Sequence, residues 1–172
     1  MKKTTLIILS LGFLLQSCDT TDSTMRDQKI PLEFNTLLER FETETFMNEF
    51  RTVVIENQTD VEEFLSEYPT DTFTEQMLAN VQYSDSLVYG VFVGARPNSS
   101  YSVQIDSIIT EGAINHFYIT ETGSAAGNRV VTWPAHFIII KKSDYGNRTI
   151  GGRYIRICEL DPCSWPISTF PN

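Results

Sequence analysis

The residue types that could support catalysis or metal binding are few in this sequence, and they are widely spaced. His116 and His136 are the only histidines, and neither has the closely spaced partner of common metal sites. Three serines, Ser99, Ser100 and Ser102, cluster near a turn, but no base and orienting group accompany them in a recognised arrangement, as a nucleophile requires. We therefore expect no enzymatic activity, no metal, no cofactor and no small-molecule substrate.

The acidic residues leave one alternative open. None of the 22 aspartates and glutamates falls in the alternating loop that binds calcium, and solvated surface charge accounts for most of them. An active site assembled from carboxylates far apart in the sequence is the competing hypothesis. A deep pocket that holds two close carboxylates would favour it.

Cys158 and Cys163 lie near the C-terminal end of the chain, separated by four residues. An exported protein meets an oxidising compartment in many bacteria, so the pair is a candidate disulfide that would fix a turn. The sequence leaves open whether the bond forms. A metal site is disfavoured, because two thiols with no nearby histidine do not complete a tetrahedral set.

The N-terminus has the three parts of an export signal: the cationic start Met1-Lys2-Lys3, an apolar run over 6–15, and the tetrapeptide Leu15-Gln16-Ser17-Cys18. The apolar run is shorter than the roughly 20 residues that span a bilayer. The tetrapeptide resembles the bacterial lipobox, whose cysteine receives a diacylglyceryl group before cleavage. We expect residues 1–17 to be removed as a signal peptide and Cys18 to carry the lipid; an ordinary secretory signal is the alternative.

The mature chain is expected to be an acidic, tethered single domain. Residues 18–29 are almost wholly polar and predict a flexible tether, and residues 30–172 are the right size for one domain. Loss of Lys2 and Lys3 with the signal peptide changes the formal net charge from −9 to −11. Nucleic acid is thus excluded as a partner, and the N-terminal lipid would hold the protein to a membrane of the bacterial cell envelope, on its periplasmic or surface face.

Periodicity predicts an α+β fold, mainly antiparallel β-sheet with one or two short helices. Thr59 and Glu62 have capping-box spacing at the start of a helix that ends before Pro69, and a second short helix is predicted over 75–80. A small-residue loop is predicted over 121–128. Strands are predicted over 30–38, where a helical pattern competes, and over 51–57, 86–93, 101–109, 114–120, 130–141 (one bent strand or two) and 151–157.

Three segments in the middle of the chain share a pattern with a known family. They are an Asp-Ser start with an apolar strand ending in Val-Gly (85–94), a proline-containing turn into Tyr-Ser-Val-Gln-Ile (97–105), and a second proline before an Ile-Ile-Lys strand (134–141). Residues 85–143 resemble the C-terminal domain of the protease-complex subunit PrcB family, and the segment before them extends the resemblance to 51–143. One departure is Ser99-Ser100, which stands where the family usually has a glycine pair.

The resemblance implies a binding or accessory protein without chemistry of its own. Members of the family are mostly small exported lipoproteins, named after a subunit that stabilises a surface protease, so the implied partner is an exported protein such as a protease. We expect the loops at 94–101 and 122–134 to form the interface, although Trp133 capping the core is a competing interpretation. The candidate interface residues are Arg96, Pro97, Asn98, Ser99, Ser100, Tyr101, Trp133 and Pro134.

Two alternatives to this accessory role are testable. The first is a small β-rich protease inhibitor that inserts the turn at 96–101 into a protease cleft. The second is the enzyme built from scattered acids. Alanine at Arg96, Tyr101 or Trp133 is expected to weaken partner binding without unfolding the domain if the loops are the interface.

Overall fold

The computed structural model describes residues 29–41, 49–124 and 130–159. The predicted signal peptide, Cys18, the rest of the tether before Lys29, and Cys163 lie outside the described residues. The elements in chain order are β1 (Lys29–Pro31), β2 (Phe34–Leu38), β3 (Arg51–Ile55), α1 (Gln58–Glu67), α2 (Thr72–Ala79), β4 (Ser86–Phe92), β5 (Ser102–Glu111), β6 (Ile114–Ser124), β7 (Ala135–Lys141), α3 (Lys142–Tyr145) and β8 (Thr149–Glu159).

The strands form two four-stranded sheets. The outer sheet has the order β1-β5-β6-β8, and the inner sheet has the order β2-β7-β4-β3. All neighbouring strands are antiparallel except β6 and β8, which are parallel. The predicted α+β class with a mainly antiparallel sheet is confirmed. No helix in the described part of the chain is long and apolar enough to cross a membrane.

The inner sheet has a hydrophobic cluster on each of its faces. Side chains of β4 and β7 meet those of β5 and β6 between the two sheets, and we call this the inter-sheet cluster. On the opposite face, α1 and α2 pack through Val61, Phe64 and Leu78 in the helix-side cluster. β4 therefore has no solvent face, which explains the nearly continuous apolar run that predicted a central buried strand.

The helix starts differ in detail from the prediction. Asn57, not Thr59, caps α1: its side chain accepts a hydrogen bond from the N–H of Asp60 at 3.0 Å, and the Asp60 carboxylate accepts from the N–H of Glu56 at 2.7 Å. The second helix starts earlier than predicted, because Asp71 accepts from the N–H groups of Phe73 and Thr74.

Four strand predictions needed correction. Of the residues 130–141, only Ala135–Lys141 form a strand, β7, and the segment before it makes a single isolated bridge at Thr132. Residues 30–38 are two strands in different sheets, β1 at the edge of the outer sheet and β2 at the edge of the inner one. Residues 121–124 continue β6 and are not part of a loop. The alternation in β5 changes at a bulge between Ile105 and Ser107, after which Ile108 is the buried residue.

Candidate functional site

The two loops predicted to form the interface lie side by side. Arg96 and Thr132 form an isolated antiparallel bridge, with backbone N–H to O distances of 2.8 and 3.0 Å. The N–H of Val93 donates to the carbonyl of Pro134 at 3.2 Å and fixes the start of the same pairing. Segments that are more than thirty residues apart in sequence are thus held in register at one end of the inner sheet.

A groove with a volume of about 630 Å³ lies beside this bridge. It is lined by 39–41, 99–102 and 130–134. The groove includes Ser99, Ser100, Tyr101, Trp133 and Pro134, five of the eight residues predicted for the interface. Segment 39–41 was not predicted to take part.

Exposed apolar side chains stand on one wall of the groove. Val130 is 60% exposed and Val131 is 51% exposed, whereas Trp133 is half-buried and packs against the helix-side cluster. Two neighbouring exposed valines in a concave surface offer an apolar contact area to another polypeptide. Trp133 therefore serves both interpretations, because it supports the core and also lines the groove.

An ion pair under the loop holds Arg96 in place. The Arg96 guanidinium forms a bidentate ion pair with the Glu121 carboxylate. Nη2 donates to Oε2 at 2.9 Å, and Nε donates to Oε1. Glu121 is fully buried, and only 13% of the Arg96 side chain is exposed. Arg96 thus supports the loop from beneath, and its removal would take the guanidinium away from a buried carboxylate.

Asn98 organises the turn that follows. Its side-chain nitrogen donates to the carbonyl of Ser124 at 3.0 Å, and its side-chain oxygen accepts from the N–H of Ser100 at 2.9 Å and from the Ser100 hydroxyl at 2.6 Å. The carbonyl of Asn98 accepts from the Thr132 hydroxyl at 2.9 Å. Ser99 and Pro97 remain exposed at the tip. Ser99 and Ser100 thus belong to a turn, as predicted, whereas Ser102 is the first residue of β5. This turn is tied to both β6 and the 130–134 loop.

Tyr101 lies flat against the end of β6. A Cβ atom at Gly123 would come within 2.7 Å of the Tyr101 Cγ atom, so the ring occupies the space that any other residue would fill. Glycine at 123 is required here for close approach of the ring to the strand. This packing fixes one wall of the groove.

His136 lies in β7 on the inter-sheet side and links three strands. Its Nδ1 accepts a hydrogen bond from the N–H of Ile105 at 3.0 Å, beside the bulge in β5, and its Nε2 lies 3.2 Å from the Thr36 hydroxyl in β2. Burial lowers the pKa of His136 below its ordinary value, against the opposing influence of the Glu39 and Asp106 carboxylates. The bonded Nδ1 requires a neutral ring with its proton on Nε2.

The remaining candidates stay dispersed. His116 lies on β6, and in the described ranges no three metal-ligating side chains come close enough to hold an ion. The backbone of Cys158 lies in β8, and Cys163 is outside those ranges, so the disulfide stays a prediction.

A second groove, near α1, has four carboxylates in its lining. Hydrogen bonds from Tyr68 and Arg51 lower the pKa of Glu67, which is the opposite of what a general acid requires.

The sequence analysis missed Glu121, which had a signal, whereas it named His136 as one of the two histidines and missed only its contacts. Asn115, Phe117 and Ile119 are the buried residues of β6, and Glu121 continues their alternation. A carboxylate at an inward position indicates a buried cation partner. His136 had no such local signal, because its partners Thr36 and Ile105 are distant in sequence.

No protein family, curated protein or solved structure was found to match this chain. The resemblance to the PrcB family therefore stays a prediction from the motifs at 51–143.

Proposed function

We propose that this chain is an exported lipoprotein, held to a membrane of the bacterial cell envelope through Cys18, that binds an exported protein partner without chemistry of its own. The tether follows from the lipobox-like sequence and the polar segment behind it. The partner is a folded exported protein, such as a protease, that is stabilised when it is bound. Stabilisation requires only that the partner binds when folded and not when unfolded.

The observation that carries this proposal is the pair of exposed valines on the groove between 99–102 and 130–134. Val130 and Val131 stand next to half-buried Trp133, and the loop opposite is fixed by the Arg96–Glu121 pair. An apolar contact surface on a preorganised support binds without a large ordering cost. A partner can therefore bind in the groove with little loss of conformational entropy in this chain.

The inhibitor alternative is less well supported by the geometry of the same loop. An inhibitory turn presents a side chain to the protease cleft, but here Arg96 is bound to Glu121 and Asn98 is buried, which leaves the small side chains of Pro97 and Ser99 exposed at the tip. Adding the full-length protein to a host protease extract separates the two roles. Prolonged protease activity favours stabilisation, and loss of activity favours inhibition.

Val131→Asp tests the groove directly. The change places a charge in the apolar contact, so we expect recovery of the partner with the full-length chain from host membranes to fall at least about tenfold. Phe73→Asp is the matched control, because Phe73 is 66% exposed on α2 and does not line the groove. Equal recovery with both variants, each folded by circular dichroism, would contradict the assignment.

A further inference from the structure

The edge of the inner sheet at β3 has backbone groups that face away from the sheet. β3 pairs only with β4 among the described residues, through the register Arg51 with Phe92 to Ile55 with Val88. An edge strand of this kind is a template for pairing with another chain.

The register shows which β3 groups point outward. The N–H of Val93 bonds to the carbonyl of Pro134, so the odd residues of β4 direct their backbone groups toward β7 and the even ones toward β3. The even residues of β4 lie opposite Arg51, Val53 and Ile55. The N–H and C=O groups of Thr52 and Val54 therefore point away from the sheet, and no partner for them occurs in the described part of the chain.

This edge lies along a groove with a volume of about 700 Å³. One wall is the face of α1 with Asp60, Glu63 and Glu67, and the other is the segment 145–150. Five residues of β3 span about 17 Å at the usual rise of a strand, which sets the length of an added segment. If a second copy of the chain paired with β3, its own α1 and its own segment 145–150 would meet the two walls of this groove. A single extended segment of another polypeptide therefore fits the groove better.

The two sides of the added strand would meet different surroundings. Val53 packs at the margin of the helix-side cluster, and Val54 and Ile150 each pack at the margin of the inter-sheet cluster and line the groove. The α1 side is acidic: Glu67 is paired with Arg51 at 2.9 Å, but Glu56 and Glu63 have no ion-pair partner within the described ranges. On the 145–150 side, the Arg148 guanidinium already donates to the carbonyls of Asp144 and Tyr145.

From this geometry we infer that β3 binds an extended segment of another polypeptide as an added strand, with basic side chains toward α1 and apolar side chains toward Ile150. The backbone ladder to Thr52 and Val54 supplies affinity, and the alternation of side chains supplies selectivity. This site is separate from the groove at 99–102 and 130–134, so Val131→Asp should leave it unchanged.

A labelled heptapeptide of alternating lysine and valine is the probe, tested by fluorescence anisotropy against the full-length chain in mild detergent. The control peptide has the same sequence with every internal amide N-methylated, which keeps its charge and side chains but removes the ladder. We expect the first peptide to bind at least about tenfold more tightly than the second. Equal binding of the two peptides would overturn the proposal.

Variants of the protein test the edge and the charge separately. Val54→Pro removes an outward N–H without breaking a bond to β4 and should weaken the peptide at least about tenfold, whereas Val54→Ala keeps the N–H and should bind. Glu63→Lys should weaken the peptide about tenfold, and Glu62→Lys, one residue away on α1 and outside the groove, should change it less than about twofold. Equal effects within either pair of variants would contradict the model of an added strand.

Hydrogen–deuterium exchange locates the bound peptide. Protection of the segment that contains 51–55 is expected with the unmodified peptide and not with the N-methylated one. Protection elsewhere, or protection of 51–55 that rises with protein concentration in the absence of peptide, would overturn the proposal. The second result would assign the edge to a second copy of the chain.

Discussion

The Arg96–Glu121 pair is the residue-scale feature on which the loop at 94–101 depends most. A carboxylate that is fully buried is costly to leave uncompensated, whereas a well-paired one contributes little compared with apolar residues of the same volume. The pair thus fixes the position of the loop and leaves Ser99 and Pro97 exposed at its tip. A substitution at Arg96 would therefore report on the stability of the fold and not only on contact with a partner.

Arg96→Ala is expected to lower the free energy of unfolding by about 3–5 kcal/mol, because the buried Glu121 carboxylate loses the Arg96 guanidinium. Chemical denaturation of the full-length chain measures this loss. The double variant Arg96→Met with Glu121→Leu should recover most of it, since it removes both charges. An Arg96→Ala variant as stable as the wild type would show that the pair does not support the fold, and Arg96 would return to the list of contact residues.

His136 gives stability a pH dependence. Its pKa is lowered in the folded protein, so the unfolded chain binds more protons as the pH falls below the ordinary value of 6.5. The stabilisation is complete above that pH and is lost as the pH falls through the lower folded pKa. Protonation would set an Nδ1–H against the N–H of Ile105.

We expect the free energy of unfolding to fall between pH 7.5 and pH 5, and the fall to be smaller in His136→Asn. The asparagine side-chain oxygen can accept the Ile105 N–H but does not titrate. Denaturation midpoints at several pH values measure both slopes. Identical slopes in the two proteins would exclude His136 as their source.

At the scale of elements, the caps of the helices decide where they begin. Asn57 and Thr59 are both good capping residues, and the sequence pattern favoured Thr59 because Glu62 follows at capping-box spacing. The turn after β3 instead places Asn57 at the first helical N–H groups, and Asp60 then bonds back to Glu56. The local sequence is compatible with a cap at Asn57 or at Thr59, and the position at which β3 ends determines that Asn57 is the cap.

Asn57→Ala should cost about 1 kcal/mol of stability, the usual value of an N-cap, whereas Thr59→Ala should cost under about 0.5 kcal/mol. Both residues are exposed, so neither change leaves a cavity. Thermal unfolding compares the two variants directly. A larger loss for Thr59→Ala would restore the capping box that the sequence pattern favoured.

The predictability of each element follows from how local its cause is. β4 could be predicted because its own residues are almost all apolar, which indicates burial on both faces. β3 could be predicted because a short β-branched run precedes turn residues. The bulge in β5 could not, because Ile105 and Ser107 carry no local signal for an extra residue. The parallel pairing of β6 and β8 depends on contacts across the chain, and no local pattern encodes it.

For the candidate site, the two loops could be predicted, but it could not be predicted which of their side chains face inward and which face solvent. Turn residues and a tryptophan beside a proline mark 96–101 and 133–134 in the sequence. Whether a given side chain points outward or inward depends on β6, since Glu121 draws Arg96 inward and Ser124 draws Asn98 inward. Val130 and Val131 are exposed and lie outside any strand, although their sequence alone predicted one.

At the scale of the whole molecule, the two proposed surfaces use different parts of the fold. The groove at 99–102 and 130–134 lies where the β4–β5 loop meets the segment before β7, and the peptide site follows the edge strand β3 and helix α1. A net charge of −9 for the full sequence favours partners with basic segments at the acidic side of β3. A membrane tether would hold both surfaces close to other exported proteins and raise their effective concentration.

Site-specific photo-crosslinking at position 131 tests the central proposal most directly. A photoreactive residue replaces Val131 in the full-length chain in its host, and the same residue replaces Phe73 in the control, since both positions are exposed. After irradiation of isolated membranes, we predict a discrete adduct with an exported protein from position 131 and none from position 73. No adduct at 131, or the same adduct from both positions, would contradict binding through this groove.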